Sequence, residues 1–203
     1  MTKIFSTSTM LGLSDFCREY STATLMLWVA THDYAAARCL LLNLHFPGLV
    51  LGAQAIEKFL KAYLLFNDPR RNVRKLSHSL PKLLDEVDAI FPALLLHKYA
   101  EVVEKFSGHY QTRYPDNPGA SSSRTTADLA DLDEFIIFLN ENLPCPKNVK
   151  YRTGLYSAIT FSLGPDSVAT PCELWVKMNN NALSPLLSRI VSDQLDVLKE
   201  LYP

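Results

Sequence analysis

Arg70, Arg71, Asn72, Arg74, Lys75 and His78 crowd one short stretch of the chain. Clustered guanidinium and ammonium groups are what a phosphate-contacting loop needs. A solvated loop needs them just as well. The imidazole of His78 can meet a ligand, or can simply hydrogen-bond a neighbouring carbonyl or carboxylate. Upstream, Gln54, Lys58 and Lys61 share one helix face, either a plain polar surface or the wall of a groove that meets phosphate. Downstream, in HYQTRYPD (109–116), Arg113 and Asp116 can pair to pin the loop around Pro115. Tyr110 and Tyr114 can pack, or can stack on a base. His32, His45 and His97 lack the spacing of metal ligands, and the four cysteines (Cys17, Cys39, Cys145, Cys172) form no C-x-x-C pair. They read as free, buried thiols in a reducing compartment. No G-x-x-x-x-G-K-[ST], G-x-G-x-x-G or H-E-x-x-H string occurs, and neither a cofactor nor a metal is expected.

The bulk composition narrows the field. Lys and Arg total 20 against 21 Asp and Glu, so nucleic acid can be held only by a local patch and not by a global basic field. An apolar fraction of 48% over 203 residues is enough for an ordinary core without disulfides or metals. The N-terminus lacks the apolar core and cleavage site of a signal peptide, and no apolar run is long enough to span a bilayer. A cytoplasmic protein with no membrane contact is the expectation.

Five helices are expected to position these groups. The first runs from about Leu25 to Leu44 on Trp28, Ala35, Cys39 and Leu42, stopped by Phe46-Pro47-Gly48. The second, from about Leu49 to Phe66, carries the stripe Leu49, Ala53, Ile56, Leu60, Tyr63 and an i,i+4 pair, Glu57–Lys61, in the favourable order. Ser77 or Ser79 caps a third helix with Pro81 in its first turn and an apolar face of Leu80, Leu83, Leu84 and Val87. Pro92 opens a fourth, with Leu95, Tyr99, Val102, Phe106 and Tyr110 as its stripe. After the Pro/Gly/Ser-rich loop 114–124, Thr125 or Thr126 caps a fifth, on which Asp128 favours the positive end. The fold class is therefore all-α, an up-and-down bundle over 26–143. Residues 1–25 form an N-terminal extension, and 144–203 a C-terminal extension ending in an amphipathic helix with Leu186, Ile190, Leu195 and Leu198 on its apolar side.

Four strings in this order sharpen the reading. WVATHDYAAARCLL (28–41) resembles the first helix of bacterial and archaeal HEPN domains. LVLGAQAIEKFLKAYLL (49–65) resembles the second, with its A-x-E-K-x-L-K-A core. HSLPKLL (78–84) is similar to the H-x-L-x-x-L string opening the third, and HYQTRYPD (109–116) to the R-Y-P-D signature after the fourth. The resemblance covers roughly 26–143. It implies a compact helical bundle, commonly a homodimer, that binds nucleotides or RNA, often beside a small nucleotidyltransferase in a toxin–antitoxin or defence pair.

Some members of that family are metal-independent ribonucleases that use an Arg, a polar residue and a His a few positions later. The imidazole takes the 2′-hydroxyl proton and the arginine stabilises charge on the phosphate. Arg71-Asn72 followed by His78 is the match in this chain. It lies between the second and third helices, however, and not near the later helices, while Arg113 has no histidine after it. The leading expectation is a non-catalytic or weakly catalytic module that binds nucleotide or RNA through Lys58, Lys61, Arg113, Tyr114 and Asp116 and works with a partner. The rivals are a ribonuclease toxin using Arg71, Asn72 and His78, and a structural dimerisation adaptor. A homodimer is also expected from the residues. Leu49, Val50, Leu51, Ile56, Phe59, Leu60, Leu64, Leu65 and Phe66 exceed what one narrow stripe can hold.

Overall fold

The computed structural model describes residues 18–72, 75–111 and 126–145, which contain five α-helices and no strand. The helices are α1 (Ser21–Leu42), α2 (Pro47–Asn67), α3 (Leu80–Ile90), α4 (Ala100–Gln111) and α5 (Thr126–Glu141). The all-α bundle expected from periodicity is what is found. The extension before residue 18, the tail after 145, and Arg113, Tyr114, Asp116 and the 114–124 loop lie outside the described residues, as do the side chains of Leu42, Tyr110 and Thr126.

α2 is the central strut. It packs against α1, α3, α4 and α5, and Leu49, Ile56, Phe59, Leu60, Leu64, Leu65 and Phe66 are all buried. Most of the apolar surplus of this helix is thus covered by its own chain, with Val50 and Leu51 half-buried. Gly52 permits the closest approach. A Cβ there would stand 2.7 Å from Phe106 Cε1 and 3.2 Å from Leu132 Cδ2, so α4 and α5 can press against α2 only where no side chain intervenes.

α1 starts at Ser21, inside the expected N-terminal extension and four residues before Leu25, and differs from its expected form in two further ways. It ends before Phe46-Pro47-Gly48, by a backbone cap. The Leu44 N–H donates to Leu41 O at 3.0 Å and the His45 N–H to Leu40 O at 2.8 Å, with Leu44 left-handed at φ 55°. This is the Schellman arrangement with leucine where glycine is usual. Pro47 then starts α2 at its first position, where a missing N–H costs nothing. The second difference is rotational. The side turned inward is Ala23, Leu27, Ala30, Tyr34, Ala37 and Leu41, whereas Trp28, in the stripe expected from spacing, is exposed.

One buried polar cluster locks α1 to α5. Arg38 Nε and Nη2 donate to Asp133 Oδ1 and Oδ2 at 2.7 and 3.0 Å, and the Tyr34 hydroxyl donates to Asp133 Oδ1 at 2.5 Å. All three side chains are fully buried. Tyr34 and Arg38 stand one turn apart on α1, so both reach the same carboxylate. Burial, and next the adjacent Asp133 charge, push the Tyr34 hydroxyl well above the ordinary tyrosine range. Tyr63 is raised likewise by burial, and its hydroxyl donates to Leu139 O at 2.7 Å. On the other side of α5, Lys105 from α4 binds both Asp128 and Asp131. Asp128 stands in the first turn of α5, as expected, and is also a buried partner for that lysine. Burial disfavours the Lys105 charge, but the two carboxylates more than offset it and raise its pKa.

α3 begins where expected, with Pro81 in the first turn and Ser79 at the N-cap position, but the Ser79 side chain makes no capping hydrogen bond. The fourth helix does not begin at Pro92. Two 3₁₀ turns, Pro92–Leu94 and Leu96–Tyr99, intervene around Leu95, which is left-handed at φ 51° and exposed, and so not part of the core stripe. Asp88 holds this corner, accepting from the Leu96 N–H at 2.8 Å and pairing with His97 at 3.1 Å.

Candidate functional site

The site is built on two turns of α2. The i,i+4 spacing places Lys61 Nζ 2.7 Å from Glu57 Oε1, both side chains nearly buried. The segment before α3 brings a third group to the same oxygen. Leu76 sinks into the core and anchors it, the Ser79 N–H donates to Ser77 Oγ at 3.0 Å, and His78 Nδ1 comes to 3.0 Å from Glu57 Oε1. Glu57 therefore joins a buried lysine to a histidine whose side chain is 71% exposed. With the Nδ1 proton donated to the carboxylate, Nε2 on the far side of the ring remains an acceptor. That arrangement can accept a proton or a hydrogen bond from a ligand.

The expected partner of His78 is engaged elsewhere. Arg71 Nη2 lies 2.6 Å from Glu86 Oε2 on α3, and no hydrogen bond or ion pair among the described residues joins it to His78. The two groups are held by carboxylates of different helices. Asn72 closes the turn, its carbonyl accepting from the Lys75 N–H at 3.0 Å.

The polar face expected on α2 is not a row of free cations. Lys58 is paired with Asp33 of α1, and Lys61 is only 4% exposed and bound to Glu57. Lys61 thus stands inside the fold and not on a groove wall, because Glu57 gives its ammonium a partner that burial requires. Exposed positive charge flanks His78 along the chain. Arg70, Lys75 and Lys82 are exposed and their side chains form no ion pair among the described residues, while the Arg70 backbone N–H donates to Asp68 Oδ1 at 3.1 Å. Sequence reasoning singled out Arg70 and Lys75 but missed Lys82, and it missed the carboxylates Glu57 and Glu86 as the anchors of His78 and Arg71. The Glu57–Lys61 spacing was the available signal for the first. None existed for the second.

No group of three His, Cys, Asp or Glu side chains suited to hold a metal ion occurs among the described residues. Cys39 and Cys145 are half-buried and form no disulfide among the described residues, and no described helix is long and apolar enough to cross a membrane. Comparison of the chain with family models, curated proteins and solved structures finds no match.

Proposed function

We propose that the chain is a HEPN-like module that binds nucleotide or RNA phosphate at the corner between α2 and α3, without efficient catalysis, and works with a partner protein. The observation that carries this reading is the exposed His78 ring, oriented by Glu57 and flanked along the chain by Arg70, Lys75 and Lys82, whose side chains form no ion pair among the described residues. A phosphate there meets cations without having to displace a carboxylate, unlike at Lys58 or Lys61. The four family-like strings support the ligand class, and a small nucleotidyltransferase is the partner class they point to. Fluorescence anisotropy with labelled single-stranded RNA, and calorimetry with mononucleotides, test it. Binding should weaken with salt and fall about tenfold or more in Lys75→Glu/Lys82→Glu, since each lost phosphate contact reduces both affinity and salt slope. Absence of binding, or binding indifferent to both substitutions, would overturn it.

One observation favours the ribonuclease reading. Glu57 holds His78 by Nδ1, the way a carboxylate orients an imidazole that acts as a general base. This reading requires Arg71 to leave Glu86. It predicts cleavage of RNA in the presence of a chelator, abolished in His78→Ala. An intact RNA after prolonged incubation with the parent protein removes it.

A further inference from the structure

Arg71 stands apart from the other cations between α2 and α3. Arg70, Lys75 and Lys82 form no ion pair among the described residues, whereas Arg71 Nη2 lies 2.6 Å from Glu86 Oε2. The contact is end-on. It uses one nitrogen of a guanidinium whose five N–H donors form a fork suited to two oxygens at once. Glu86 has a candidate partner on its own helix. Lys82 stands one turn before it on the same face of α3, yet the two form no ion pair among the described residues. A lysine N-terminal to a glutamate is the weaker order for such a pair. Glu86 therefore leaves Lys82 open and occupies Arg71.

Three features make the Arg71–Glu86 contact exchangeable. Its side chains are 31% and 38% exposed, so water screens the attraction and either charge can return to solvent. The sealed Arg38–Asp133 pair has no such freedom. Second, the Arg71 backbone is held independently of Glu86. Its N–H donates to Asp68 O at 3.1 Å, and the preceding N–H, of Arg70, donates to Asp68 Oδ1 at 3.1 Å. Release of Glu86 needs only a rotation of the arginine side chain. Third, Lys82 and Glu86 are neighbours on the helix surface, with Cβ atoms about 6 Å apart. A guanidinium resting on Glu86 is thus about one helical turn along α3 from the open ammonium of Lys82.

We propose that Glu86 is an autoinhibitory carboxylate: it withholds Arg71 from the α2–α3 corner, and a phosphate bound beside Lys82 takes Arg71 away from it. The proposal rests on the reading of that corner as a phosphate site. A phosphate competes well because two of its oxygens can meet the guanidinium fork, where Glu86 meets it with one. The carboxylate lowers affinity in two ways. It occupies the arginine, and after release its own charge still faces the ligand. Arg71 is a further phosphate ligand held in reserve.

Fluorescence anisotropy of the full chain with labelled single-stranded RNA tests this. Glu86→Gln should bind about threefold to fivefold more tightly than the parent, the range that an exposed ion pair can withhold. Its salt dependence should steepen by about 0.7 in slope, as one more phosphate contact on a single strand requires. Asp85→Asn controls for charge alone. It removes the same charge from the adjacent exposed residue, which forms no ion pair among the described residues, and should tighten binding less than about twofold. Arg71→Ala should weaken the parent about twofold or less, and in the Arg71→Ala background Glu86→Gln should do no more than Asp85→Asn. A gain in Glu86→Gln that survives Arg71→Ala, or that Asp85→Asn equals, overturns the proposal. RNA binding by the parent that depends on Lys75 and Lys82 but is indifferent to Glu86→Gln overturns it and leaves the phosphate reading standing. Absence of binding in every variant removes both.

Discussion

Two carboxylate clusters in this protein use similar groups for different ends. At the α1–α5 seam, Asp133 collects Arg38 and Tyr34, and every member is sealed from water. At the α2–α3 corner, Glu57 collects Lys61 and His78, and the last member stands in solvent. In the first cluster each hydrogen-bonding group faces another, so nothing remains for a ligand and the charges serve to fix which face of α1 meets α5. In the second the buried lysine and the carboxylate hold a histidine whose outer nitrogen is unspent. The chemistry of the residues is alike. Depth within the fold decides which cluster is scaffold and which is available for binding.

The sharpest way to break this comparison is at the sealed cluster. Asp133→Ala strands a buried guanidinium and should cost about 3–5 kcal/mol, whereas the combined Arg38→Met/Asp133→Leu/Tyr34→Phe replacement should recover most of that loss. Urea denaturation of both variants checks it. Equal losses in the two would show that packing, and not the stranded charge, was the main term.

At the corner, Glu57→Ala leaves Lys61 buried without its carboxylate and should cost a smaller amount, about 1–3 kcal/mol, because the site is nearer to water. The same variant should weaken RNA binding by releasing His78. A loss of binding without any fall in stability would mean that Lys61 finds solvent easily, and that the two clusters differ less in depth than their exposures indicate.

Alkaline pH probes the buried tyrosines, Tyr34 of the sealed cluster among them. Tyr34 and Tyr63 are raised well above 10.0 by burial. In the unfolded chain they ionise near the ordinary value while the folded chain holds them neutral. The unfolded state therefore binds fewer protons above about pH 10, and stability falls as pH rises, by about 1.4 kcal/mol per pH unit for each tyrosine. Tyr99, pushed up to about 12 by burial and then by Glu134 and Glu141, adds to the fall between those two values. Denaturation midpoints measured from pH 9 upward should decline, with a shallower slope in Tyr34→Phe. A parent and variant of equal slope would place Tyr34 in contact with water.

The smallest effect on stability belongs to the exposed end of the corner. His78→Ala should change it by less than about 0.5 kcal/mol, as expected of a surface pair, while reducing RNA affinity measurably. If stability falls as far as in Glu57→Ala, His78 is a structural bracket for the segment before α3 and the corner is scaffold too.

What the sequence by itself determined is what depends on neighbours along the chain. The Glu57–Lys61 pair, the position of Ser79 before α3, the central stripe of α2 and the all-α class all follow from contacts within a turn or two of helix. The periodicity that revealed α1 could not say how that helix is rotated, because it is apolar on two sides, and Trp28 lies on the side turned away from the core of the described residues. Nor could it set the start of α4, since Pro92 suits a 3₁₀ turn as well as an α-helix. Only the tertiary structure decided that Arg38 is buried. Its partner, Asp133, lies 95 positions away, and an arginine can leave water only where a remote carboxylate replaces its hydration. The same holds at the candidate site. His78 and the basic run are visible in the sequence, but Glu57 reaches His78 across 21 positions and Glu86 reaches Arg71 across 15. Those long-range partners decide which positive charges remain open to a ligand.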